Sequence, residues 1–161
     1  MEFDENILER TTESVRELYR YWKAVRGDRR MPRRRDFDPI AVPRHLPGLL
    51  LIDVEPPDES GRPVFRYRVV GGWEIEARGH NPTGRTVDEG FHGASLENAR
   101  RDYERVTGSG EPHYESLDFV DSCGVRLERE SILLPLSEDG VEVSQILVYS
   151  ERQDREDRTG P

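Results

Sequence analysis

Cysteine and lysine are nearly missing from this sequence. Cys123 is the one cysteine in 161 residues, which excludes an internal disulfide and any cysteine metal cluster. Lys23 is the only lysine, so arginine carries almost all the positive charge. Positive charge is itself in deficit, with 24 Lys and Arg against 33 Asp and Glu and a formal net charge of −9. That balance disfavours general nucleic-acid binding, which needs an excess of cations to displace counterions. No apolar run approaches the roughly 20 residues of a membrane-spanning helix. The start, Met1-Glu2-Phe3-Asp4-Glu5, is acidic where a signal peptide would be basic. The expectation is a soluble, cytoplasmic chain with no membrane partner.

Catalytic signatures are lacking too. There is no Gly-x-Ser-x-Gly elbow, and Gly108-Ser109-Gly110 is too short and follows a helical pattern. No His-x-x-x-His pair or Asp-x-Asp-x-Asp loop offers metal ligands. His45, His80, His92 and His113 are scattered, and none sits at a recognisable spacing from Cys123 or from a serine motif. Nucleophilic catalysis needs a nucleophile, a base and an orienting group together, so no enzyme is expected and no cofactor is assigned.

What is present suits one domain with extensions. Charged residues make up 35% and the apolar class 34%, which implies a modest core under a highly charged surface. Asn6 to Arg26 reads as one amphipathic helix, with Leu8, Val15, Leu18, Trp22 and Val25 on one stripe, Thr11 filling a gap, and Gly27 just past the end. The basic run from Arg26 to Arg35, broken by Pro32, could hold phosphates, but Asp28, Asp36 and Asp38 beside it favour a solvated connector. Leu49 to Glu55 and Val64 to Gly71 read as strands around a turn rich in Pro, Asp, Ser and Gly.

The centre of the chain is Phe65 to Val87. Phe65, Tyr67 and Val69 alternate with Arg66 and Arg68, as on a half-buried strand. Gly71-Gly72 stops it, Trp73 to Ala77 suits a short helix ended by Gly79, and Asn81-Pro82-Thr83-Gly84 is a turn. Ser95 to Val106 reads as a helix with Leu96, Ala99, Tyr103 and Val106 inward and Gly108 at its end. Tyr114 to Val120, Val125 to Leu136 and Val141 to Glu151 read as hairpin-linked strands, with turns at Asp121-Ser122-Cys123-Gly124 and Glu138-Asp139-Gly140. This order predicts an α+β fold: a five-stranded antiparallel sheet with helices over one face. The expected divisions are an N-terminal helix over 1–27, the domain over 28–152 and a disordered tail over 153–161.

An ordered series of residues carries a resemblance. Pro32, Arg34, Asp36, Asp38 and Pro39 are followed by Leu46-Pro47 ahead of a strand ending in Asp53-Val54, then by Tyr67-Arg68, Gly71 and Thr83-Gly84. From about Tyr19 to Tyr149 the chain resembles the bacterial single-domain PAS-like family, and Gly72-Trp73 departs from its usual pattern. The resemblance implies a sensory or protein-interaction domain in signalling, a partner protein to carry the output, and a small-molecule ligand between sheet and helical cap. Candidate lining residues are Tyr67, Val69, Trp73, Ile75, Phe91, Leu96, Tyr103, Leu117, Phe119, Leu133 and Leu147, which would equally serve a dry core. It also makes heme on His80 or His92 conceivable, whereas flavin photochemistry needs a cap-helix cysteine and Cys123 lies elsewhere. A homodimer is expected, because the outer sheet face carries Arg66, Arg68, Glu128 and Glu130 and is too charged for the whole stripe; Leu8, Val15, Leu18 and Trp22 would form its interface. Two alternatives are a cyclic-dinucleotide receptor, through the arginine run and Asp58-Glu59-Ser60-Gly61, and a small enzyme using the cavity.

Overall fold

The fold is built around three strands that are apolar on both faces. In the computed structural model, which describes residues 2–93, 95–120, 124 and 126–151 (for 117–120 and 126–128 without side chains), five strands form one sheet: β1 (Leu49–Glu55), β2 (Val64–Val70), β3 (His113–Val120), β4 (Arg126–Leu136) and β5 (Gln145–Ser150). Their order is β2-β1-β5-β4-β3, and the four pairings are all antiparallel. The expected α+β architecture and the five-stranded antiparallel sheet are found. Strands flanked on both sides must bury both faces, so they read as continuous apolar runs. Leu49 to Ile52, Ile132 to Leu136 and Ile146 to Tyr149 are buried throughout.

Among the described residues four α-helices cover the sheet: α1 (Glu13–Arg26), α2 (Gly72–Arg78), α3 (Val87–Gly90) and α4 (Leu96–Ser109). The expected single N-terminal helix is broken. A 3₁₀ helix over Glu5–Arg10, capped by Asp4, ends at Thr11, and Thr12 then takes an extended N-cap conformation ahead of α1. The break is held from the sheet, where the Thr12 amide donates to Glu130 Oε2 at 3.0 Å. Gly79 closes α2 at φ 74°, where a Cβ would be strained. Gly110, rather than Gly108, closes α4 at φ 66°. The helix α3 was missed in the sequence; the reciprocal cap between Thr86 and Glu89 is its signal.

Helix α1 lies on the sheet face opposite α2 and α4. Val15, Leu18 and Trp22 are fully buried within the chain, and the Trp22 indole N–H donates to the Pro135 carbonyl at 2.9 Å. His45 joins the same layer, with its Nε2–H on the Ser14 carbonyl at 2.7 Å and its ring 4.9 Å from that of Tyr149. Val15, Leu18 and Trp22 therefore have no surface left for a second chain, which corrects their assignment to a dimer interface; Leu8 is half-buried against the same core. The reason is positional. Arg66 and Arg68 sit on the peripheral β2, paired with Glu55 and Asp53, while the strand segments under α1 present Ile132, Leu134, Leu136 and Leu147, all buried.

Candidate functional site

Between the other sheet face and helices α2 and α4 lies a cavity of about 430 Å³. Alternation in the strands supplies its apolar floor: Leu50 of β1 pairs with Val148 of β5, which pairs with Leu133 of β4. Next along the strands, the Ser131 and Ser150 hydroxyls are hydrogen-bonded at 2.8 Å. Tyr103 of α4 and Phe91 complete the apolar wall. Tyr103 packs edge-on against Phe65 at 5.4 Å, and burial pushes its phenol pKa well up.

Of the residues proposed to line a pocket, Phe91, Tyr103 and Leu133 do so. Tyr67 is buried just behind the wall, its hydroxyl accepting from Arg78 at 3.2 Å. Val69 is 47% exposed. A bulge at Leu51/Ile52 shifts the register of β1 on β2, so that strict alternation stops after Tyr67 and Val70 turns inward instead. Leu147 pairs with Leu51 and Leu134 on the α1 face, one residue out of phase with Val148. Trp73, Ile75 and Leu96 are half-buried beside the cavity rather than in its wall, and Trp73 lies over Gly48. The side chains of Leu117 and Phe119 lie outside the described residues, as do Cys123 and 153–161.

Two charged groups in the cavity went unread in the sequence. The first is Glu74, an acid in a short helix that is 4% exposed. Arg78 binds it at 2.7 Å and Arg129 at 2.6 Å. The i,i+4 spacing of Glu74 and Arg78 is the available sequence signal. The second is a carboxyl pair formed by Asp102 of α4 and Glu115 of β3, which share a hydrogen bond, with His113 Nε2 3.4 Å from Asp102. Burial, then the adjacent Asp102 carboxyl, pushes Glu115 up to about 7. For Asp102, burial opposes ionisation, but the contacts with His113 and Glu115 and the charge of Arg105 hold it below the usual carboxylate range. The two titrate as one unit. Asp102 stands three residues after Ala99, and Glu115 shares strand parity with Leu117; these spacings are the available sequence signal for the pair.

His80 and His92 are exposed. Among the described residues no group of His, Cys, Asp or Glu could hold a metal ion, and no helix is long and apolar enough to cross a membrane. In the arginine run, Arg29 pairs with Asp36 at 2.8 Å, Arg30 donates to the Ser109 carbonyl, Arg34 donates to the Phe37 carbonyl at 3.1 Å, and Arg26 lies over the Trp22 ring at 5.1 Å. Asp58 is spent on its own turn, accepting from the Ser60 amide and hydroxyl.

A family model described as PAS domain matches residues 10–149. No curated protein matches the chain. Among solved structures, the chain is similar to the PAS domain of BvgS from Bordetella pertussis, with 18% identity, 75% of this chain and 91% of that one covered, and a TM-score of 0.49. A light-oxygen-voltage domain matches with 12% identity over 73% of this chain and 84% of that one, at a TM-score of 0.48. The LOV protein of Rhodobacter sphaeroides matches with 13% identity over 70% and 64%, at a TM-score of 0.44.

Proposed function

The chain belongs to the PAS domain family, whose members are sensory and interaction modules, and from that premise we propose that it senses a small molecule held between its sheet and its helices without transforming it. The cavity of about 430 Å³ carries the reading. Its size is within the usual range of small-molecule sites, and its walls combine an apolar floor with a few fixed polar groups, as such sites do. Helix α4 crosses the cavity from Ser95 to Tyr103 and α2 closes it through Glu74 and Arg78. An occupant that changed how these helices pack on the sheet would pass its presence to the outer surface, where a partner protein or a second copy of the chain reads it. Such a contact would use surface other than the α1 stripe; among the described residues Ile40 and Val141 are the most exposed large apolar side chains.

The carboxyl pair is the feature that favours a small enzyme instead, since a carboxyl titrating near neutrality suits a general acid or base. The hydroxyl of Ser131, the strand partner of Glu115, is bonded to that of Ser150, which weakens that reading. The deciding experiment is mass spectrometry of small molecules released by denaturing the purified protein, followed by a melting-temperature screen of the emptied protein. A recovered molecule that raises the melting temperature and is returned unchanged supports the sensory reading. An empty protein whose melting no compound shifts would overturn it, and a returned product would replace it with the enzyme.

A further inference from the structure

Around Glu74 the charges do not cancel. Glu74 carries one negative charge and meets two guanidinium groups. Four of the five N–H donors of Arg78 are spent: its Nε–H donates to the Gly90 carbonyl at 2.8 Å, Nη1 to the Glu74 carbonyl at 3.0 Å and to Glu74 Oε2 at 2.7 Å, and Nη2 to the Tyr67 hydroxyl at 3.2 Å. Its side chain is 3% exposed. Arg129 is the surplus cation. Only its Nη2 makes a bond among the described residues, to Glu74 Oε1, and 30% of its side chain remains open. Spare N–H donors of a guanidinium whose countercharge is already shared suit a carboxylate. The first turn of α4 opens on the same cavity through Ser95 and Asn98, and the 14-residue helix brings partial positive charge there. At the other end, Asp102 and Glu115 hold one proton below pH about 7 and carry a single negative charge, on Asp102, which His113 and Arg105 face.

We infer that the occupant of this cavity is a small carboxylate with an apolar body, its carboxylate on Arg129 and its body over Leu50, Leu133 and Val148. The inference rests on reading the cavity as a ligand site. It also couples binding to pH. Glu115 faces Asp102 of α4, with Arg105 acting on Asp102; His113 is on its own strand, Arg129 is on β4, Glu74 and Arg78 come from α2, and His92 lines the cavity from the segment after α3. Raising the pH through about 7 ionises Glu115 and adds its negative charge to those of Glu74 and Asp102 in the cavity, so a carboxylate binds more tightly below that pH than above it.

The test titrates the folded protein with hexanoate, hexylamine and hexanol, followed by NMR shifts of the cavity residues at pH 6 and pH 8. Hexanoate is expected to bind at least about tenfold more tightly than the other two. Arg129→Gln should weaken hexanoate by about 10- to 100-fold, the worth of a hydrogen bond to a charged group, and leave hexanol unchanged. Hexanoate affinity should fall between pH 6 and pH 8 in the wild type and stay level in Glu115→Gln. Hexylamine or hexanol binding as tightly as hexanoate overturns the inference while leaving the ligand cavity in place; so does unchanged hexanoate binding in Arg129→Gln. If that variant loses its fold by circular dichroism, the ranking of the three probes on the wild type decides. Failure of all three to bind overturns the cavity reading itself.

Discussion

Trp22 offers the sharpest test of how the N-terminal helix is used. It is fully buried, its indole N–H bonds the Pro135 carbonyl at 2.9 Å, and its ring lies 6.0 Å from Tyr19 and under the Arg26 guanidinium at 5.1 Å. Trp22→Ala removes the largest of the fully buried side chains and should cost about 3–5 kcal/mol through lost burial and the remaining cavity. For a chain of 161 residues, each kcal/mol lowers the melting temperature by about 2–4 °C, so the expected drop is roughly 6–20 °C. Trp22→Phe keeps most of the ring but takes the donor from the Pro135 carbonyl, and should cost about 1–3 kcal/mol. Thermal denaturation followed by circular dichroism, at protein concentrations a hundredfold apart, reads both effects. Packing within one chain makes the drop independent of concentration. A wild-type melting temperature that climbs with concentration, while that of Trp22→Ala does not, would show that the stripe is buried between chains and refute the reasoning. A drop under about 2 °C would refute it as well.

Other perturbations probe the opposite face. Glu74→Ala strands the buried Arg78 without its countercharge and should destabilise the protein by about 3–5 kcal/mol, measured by urea denaturation. Gly71→Ala would drive a Cβ into the backbone carbonyls of Leu46 and Pro47, neither of which can swing aside, and should cost at least about 1–3 kcal/mol in the same assay; a neutral result would mean that the α2 entry is looser than described. Glu115 binds its proton more tightly folded than unfolded, so stability should fall as pH rises from about 4.5 towards 7 and level off above. Glu115→Gln should flatten that slope, and an unchanged slope would place the titration elsewhere.

The sequence carried most of the scaffold. The bounds of β1 follow from an apolar run stopped by Pro56-Pro57, and Gly79 could be assigned to the end of α2 because its left-handed φ costs other residues more. Local pattern sufficed there because each signal sits within a few residues of its effect. Pattern failed where the deciding atom lies on another element. Alternation placed Val69 inward, but a bulge against β1 turned it out. Leu147 and Val148 are equally apolar, and only their strand partners say which one faces α4.

Charge shows the same division most plainly. The types of the residues, an acid at Glu74 and a carboxyl at each of Asp102 and Glu115, are written in the chain, and spacing is the available signal for the last two. Whether a charge there is matched depends on partners remote in sequence: Arg129 lies 55 residues from Glu74, and Asp102 meets Glu115 across the gap between a helix and a strand. The sequence by itself determined the order of the five strands, the α+β class and the apolar stripe of α1. The tertiary structure decided that this stripe closes on its own sheet and that the opposite face keeps a charged cavity, because desolvation and Coulomb attraction act through space between side chains that only the packed fold brings together.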